Sequence, residues 1–96
     1  MATKEEILAF LKEHKNELYN RFSVTKIGLF GSYAKDEADE SSDIDIAIST
    51  ENKDFFIRED LKDYLQEHFQ KPVDIGYIDS FREFYKKRIS KEILYA

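Results

Sequence analysis

The sequence contains no cysteine. That excludes a disulfide framework and a thiolate zinc site. Histidine is scarce as well: His14 and His68 lie far apart on helical segments and read as partly solvated surface residues rather than ligands. No apolar run approaches the ~18 residues of a membrane span. The first residues, Met-Ala-Thr-Lys-Glu-Glu, lack the basic start and apolar stretch of a signal peptide, so a cytoplasmic location is expected. Positive charge is the minority: 15 Lys and Arg stand against 20 Asp and Glu, a formal −5. Such a surface repels a phosphate backbone, and direct nucleic-acid binding is not expected. Any polyanionic ligand must be held through cations.

Proline occurs once and glycine three times, so there is little to break up the regular patterns. The 96 residues, 42% of them hydrophobic, suffice for one core and one site, a single domain over 1–96. Residues 4–22 carry Ile7, Leu8, Leu11, Leu18 and Phe22 at helical spacing, with Thr3 as N-cap and Glu6 three positions later. Residues 24–30 (VTKIGLF) predict a strand that ends in the tight turn Gly31-Ser32, followed by one or two helical turns over 32–38. Residues 43–49 alternate strictly and residues 73–78 approximately, so both predict strands. Between them, Phe56, Ile57, Leu61, Tyr64, Leu65 and Phe69 form the apolar stripe of a helix over 54–69. A last helix is expected from Ser80, with Phe81, Phe84, Tyr85, Ile89 and Ile93 on its inner side, and these aromatic stripes read as core. The order predicts an α/β (α+β) fold, a small mixed three-stranded sheet backed by helices on one face.

Alternation puts Asp43 and Asp45 on one face, roughly 6.6 Å apart along the strand, and sends Ile44, Ile46 and Ile48 into the core. The same parity buries Val73, Ile75 and Tyr77 and places Asp74 opposite, where it joins the other two if the strands are neighbours. Three close carboxylates persist only if a cation neutralises them or protons remain. Oxygen donors without His or Cys select magnesium or manganese, and a pair of such ions about 4 Å apart serves in-line phosphoryl displacement. A lone Asp-x-Asp is most often an edge strand facing water. Gly31 and Ser32 at the end of the preceding strand change that balance, because glycine admits a close backbone approach and a hydroxyl at a helix start can bind phosphate. Ala47 and Gly76 share the acidic face, and being small they leave room beside the carboxylates for a nucleotide.

The spacing Gly31-Ser32, ten residues, then Asp43-Ile44-Asp45 resembles the signature of the DNA polymerase β-like nucleotidyltransferase superfamily, with Val73-Asp74-Ile75 in the place of its third carboxylate. Within that superfamily the chain is similar to the minimal nucleotidyltransferases, and the likeness spans nearly its whole length. The resemblance implies that Asp43 and Asp45 hold both of two Mg2+ ions and that Asp74 holds the one aiding the attacking group. It also assigns Gly31 and Ser32 to the β- and γ-phosphates of ATP or another nucleoside triphosphate. Where an arginine and a glycine commonly follow, this chain has Lys35 and Asp36. Lys35 keeps the charge facing the nucleotide but loses the bidentate fork, and an acidic Asp36 implies modest affinity.

Larger relatives add a helical acceptor-binding domain, for which 96 residues leave no room, so the acceptor is expected from a partner. Minimal members often act as antitoxins that transfer AMP to a tyrosine of a toxin with a HEPN (higher eukaryotes and prokaryotes nucleotide-binding) domain. The resemblance therefore implies AMPylation of such a toxin. Two alternatives stay open: an antitoxin that only docks, and a homodimeric enzyme acting on a small molecule.

Overall fold

The computed structural model describes residues 2–80 and 91–96. Its elements are α1 (Lys4–Glu13), α2 (Lys15–Phe22), β1 (Val24–Phe30), the single turn α3 (Gly31–Ala34), β2 (Ile44–Thr50), α4 (Phe55–Phe69), β3 (Val73–Tyr77), a 3-10 turn (Ile78–Ser80) and β4 (Leu94–Tyr95). The sheet order is β3-β2-β1-β4. Strands β1 and β2 run antiparallel, as do β1 and β4, while β2 and β3 are parallel with α4 as their crossover. The fold is therefore mixed α+β, as expected, with four strands where three were predicted.

The extra strand comes from Leu94 and Tyr95, which pair with Leu29 and Gly28 of β1. The expected final helix falls mostly on residues 81–90, outside the described residues. At its far end Lys91 and Glu92 are helical, and Ile93 leaves the helix to enter the core. The opening helix is two helices rather than one. At His14 the backbone departs from helical geometry, and the ring Nδ1–H donates to the Phe10 carbonyl at 2.8 Å. His14 and His68 are brought together: each stacks on the Phe10 ring, with centroids 4.0 and 3.7 Å away.

Apolar periodicity otherwise translates directly into packing. Ile7, Leu11, Leu18, Phe22, Leu61 and Leu65 from the helices meet Ile27, Leu29, Ile44, Ile46, Ile48 and Val73 from the sheet, and all are buried. Each such side chain stabilises the fold by about 1.5–3 kcal/mol. Thr3 caps α1 by accepting from the Glu6 N–H, and Asp54 caps α4 by accepting from those of Phe56 and Ile57. Phe56 departs from the predicted stripe. It and Phe55 occupy the first turn of α4, and Phe56 is 75% exposed, because burial on this helix centres on Leu61 and Leu65.

Candidate active site

Three chain segments build one end of the acidic face. Parallel pairing sets Asp45 of β2 directly beside Asp74 of β3, and antiparallel pairing sets Phe30, the last residue of β1, on the other side of Asp45. Asp43 precedes β2 by one residue and shares the parity of Asp45. The acidic loop before it is ordered by Asp39, whose carboxylate accepts from the Ser41 N–H at 2.8 Å, the Ser41 hydroxyl at 2.6 Å and the Ser42 hydroxyl at 3.3 Å. Lys71 secures the same loop by donating to the Glu40 carbonyl at 2.9 Å, and the Ile44 N–H donates to the Pro72 carbonyl. Asp43 is thus delivered by a held turn. The sequence offered a cue in the Asp39-x-Ser-Ser pattern.

Asp43 and Asp74 are exposed and Asp45 is partly buried. Burial first, then the negative charges of Asp74 and Asp43, push the Asp45 carboxyl up to about 6. The Asp45 carboxyl therefore senses the charges of both of the others. Among the described residues, no three acidic or histidine side chains are placed so that together they could hold a metal ion. The donor set nonetheless fits a hard divalent cation: oxygen ligands only, two strand-paired carboxylates and a third on the same face, with mutual repulsion that a cation relieves.

Gly31 explains the need for glycine at the end of β1. Its φ is +75°, and a Cβ there would overlap the Asp45 carboxylate, lying 3.0 Å from its Cγ and 3.2 Å from its Cβ. Any side chain would thus displace Asp45 as well as strain the backbone. Ser32 follows, partly exposed, in the first turn of α3. That helix is one turn long, shorter than the stretch 32–38 predicted. It closes with the Glu37 N–H bonded to the Ser32 carbonyl at 2.8 Å and the Asp36 N–H to that of Tyr33 at 3.3 Å, a Schellman closure with Asp36 at φ +58°. The left-handed conformation accounts for the glycine that commonly stands here, and Asp is among the residues that tolerate it. The Asp36 carboxylate accepts from Lys4 Nζ at 2.8 Å, a bond that raises the Lys4 pKa above its ordinary value. The extra negative charge is therefore matched by Lys4. Lys35 is also engaged, its Nζ 3.4 Å from Glu92 Oε1.

The acidic face is less open than its small residues implied. Ala47 is fully buried, and a Cβ on Gly28, its partner in β1, would collide with the Ile93 side chain and approach the Leu94 carbonyl at 3.1 Å. Ile93 therefore covers this part of the sheet. Gly76, which pairs with Ala47 from β3, is only partly buried, and neither Glu92 nor Ile93 carried a sequence signal for this placement.

The nucleotidyltransferase domain family matches residues 11–96, and the chain belongs to that family. A relative from Thermococcus cleftensis, protein adenylyltransferase MntA, is 38% identical over 97 residues, covering 100% of this chain and 98% of its own. A solved structure described as a minimal nucleotidyltransferase superposes with a TM-score of 0.80 at 24% identity, covering 97% of this chain and 95% of that one. A second, of a tri-AMPylated HEPN toxin from Shewanella oneidensis in complex with MNT antitoxin, gives a TM-score of 0.61 at 22% identity, covering 96% of this chain and 66% of that one. At those identities the two solved structures establish a shared fold. Among the described residues, no helix is long and apolar enough to cross a membrane.

Proposed function

We propose that this enzyme transfers AMP from ATP to a tyrosine of a HEPN-type toxin and so acts as the antitoxin. The observation that carries the reading is the pairing of Asp45 with Asp74 across β2 and β3, with Gly31 in contact with the Asp45 carboxylate. Full-length likeness to a protein adenylyltransferase supports the choice of reaction, and the fold shared with an antitoxin complexed to an AMPylated toxin supports the choice of acceptor.

Asp43, Asp45 and Asp74 would hold two Mg2+ ions, or Mn2+ in their place. When bound, the metal neutralises charge on the triphosphate and favours the ionised form of the attacking hydroxyl. Asp45, paired on both sides and partly buried, fixes its carboxylate more firmly than exposed Asp43 or Asp74 can. Gly31, by lacking a side chain, lets the Asp45 carboxylate lie against the turn, and Ser32 presents its hydroxyl at that turn. The tyrosine oxygen attacks the α-phosphorus, the bond from that phosphorus to the bridging oxygen breaks, and pyrophosphate leaves with AMP esterified to the tyrosine.

The test is to incubate the chain with ATP, Mg2+ and the purified product of the gene beside its own, and to weigh that product by mass spectrometry. Addition of AMP units, lost with Asp43→Asn/Asp45→Asn, is the expected result. An unmodified partner in the presence of folded enzyme would refute the assignment. Survival of toxin neutralisation in the double variant would instead support docking alone.

A further inference from the structure

We propose that Lys71 is a positioning residue of the candidate active site: its ammonium group ties together the segments that carry Gly31-Ser32, Asp43 and Asp74, and so fixes Asp43 relative to the other two aspartates. The inference rests on the reading of Asp43, Asp45 and Asp74 as metal ligands given above. It deepens that reading with a residue outside the motif.

Asp45 and Asp74 need no such aid, because the parallel ladder of β2 and β3 sets them side by side. Asp43 does need it. It is exposed, it precedes β2, and the ladder begins only with Ile44, which pairs with Val73. The direction of its backbone is therefore set by the loop 39–42. That loop is bonded mainly to itself: Asp39 accepts from Ser41 and Ser42, the Ser42 hydroxyl accepts from the Asp39 N–H at 3.0 Å, and the Ser42 N–H donates to the Asp39 carbonyl at 3.1 Å. A turn closed on itself is stiff, yet it can swing as a unit. Among the described residues, its one hydrogen bond to the rest of the protein comes from Lys71, whose Nζ donates to the Glu40 carbonyl at 2.9 Å.

Lys71 stands on a fixed base. Before it, Gln70 closes α4 at φ +56° with its N–H bonded to the Gln66 carbonyl at 2.8 Å. After it, the Pro72 carbonyl accepts from the Ile44 N–H at 3.0 Å, and the Val73 N–H donates to the Gln66 side-chain oxygen at 3.0 Å. Asp74 follows three residues on. The Lys71 Nζ also lies 5.7 Å from the centre of the Tyr33 ring, within the range of cation–π attraction. Tyr33 is only 3% exposed and follows Gly31-Ser32 within α3, so the ring is a firm support. One ammonium group thus bears on the loop before Asp43 and on the turn after Gly31, from a base at the entry to β3. Replacing it with an apolar side chain of similar length leaves the Glu40 carbonyl without its donor and lets the loop swing.

The experiment compares the native chain with Lys71→Met and Lys71→Arg, each first checked by thermal melting to be folded, with Lys71→Gln in reserve should methionine prevent folding. Amide hydrogen exchange is followed by NMR on the metal-free protein. Mn2+ binding is followed by electron paramagnetic resonance with AMP-PNP, in about 0.5 M KCl to screen the mere loss of a charge. In Lys71→Met the Ile44 amide, the first tie after the loop, should exchange about 5-fold faster while amides in the middle of β1 and β2 keep their native rates. The Mn2+ dissociation constant should rise about 3–10-fold, less than the ~10–100-fold typical of a group bonded to a metal ligand itself. Arginine donates to a carbonyl and stacks on an aromatic ring, so Lys71→Arg should restore both values. An unchanged Ile44 rate overturns the proposal, and so does faster exchange throughout the sheet, which marks general destabilisation. Faster local exchange with native Mn2+ affinity overturns it too, as does an arginine variant no better than methionine. If the native chain binds no Mn2+, the metal-ligand reading itself fails and takes the proposal with it, a result distinct from the others because the native chain alone reveals it.

Discussion

Asp45→Asn should make the metal-free protein more stable while abolishing its chemistry. In the folded chain the Asp45 carboxyl is pushed up to about 6 by burial and by Asp74 and Asp43, whereas an unfolded chain leaves it near 3.8. Below pH ~4 both states hold the proton and the group contributes no difference. Between pH ~4 and ~6 the folded state keeps a proton that the unfolded state has shed, so native stability falls as pH rises; above pH ~6 the whole penalty is present. A gap of about two pH units at about 1.4 kcal/mol each sets a ceiling near 3 kcal/mol. Solvent reaches this partly buried group and screens its neighbours, which brings the expected effect to ~1–2 kcal/mol. Urea denaturation in EDTA should therefore find the variant more stable by that amount at pH 7.5. The advantage should narrow steadily as the pH is lowered to 4.5. Added Mg2+ should raise the stability of the native chain and leave the variant nearly unchanged. A variant no more stable than the native chain, or an advantage independent of pH, would refute the claim that these carboxylates share one repulsive site.

Three further outcomes follow from the same geometry. Gly31→Ala should cut AMP transfer by about 100-fold or more, since an error of even 1 Å in a positioned group costs on that order, and its melting temperature should also fall. Asp36→Val should destabilise by ~1–2 kcal/mol, because a β-branched residue is strained at a left-handed position, while Asp36→Gly should retain a fold of near-native melting temperature. Leu65→Ala, at a fully buried position of α4, should cost ~2–5 kcal/mol in chemical denaturation without changing the metal requirement of the reaction.

Strand alternation carried most of the legible information. It located β1, β2 and β3 to within a residue at each end, and its parity alone set Asp43, Asp45 and Asp74 on the face opposite Ile44, Ile46 and Val73. What remained hidden depended on contacts between distant segments. β4 is only Leu94 and Tyr95, too short to show a period of two, and those residues prolong an apparent helical stripe. The break at His14 leaves the apolar spacing of Ile7, Leu11 and Leu18 intact, so periodicity could not reveal it. Phe56 fits a helical stripe by spacing but projects from the first turn of α4, beyond the packed part of that helix. The room inferred from Ala47 failed for a similar reason, since parity gives the face of a side chain and is silent about Ile93 lying across it, whereas Gly76 stays partly exposed. The substitution of Asp36 for a common glycine read as a liability to phosphate binding; the Lys4 partner and the Schellman closure that make it tolerable emerge only in three dimensions.

The most direct measurement is an electron paramagnetic resonance titration of Mn2+ into the chain with AMP-PNP present, on the native protein and on Asp45→Asn. Two bound ions per native chain, with neither retained at comparable affinity by the variant, is the predicted result. Equal occupancy in the two proteins would contradict it.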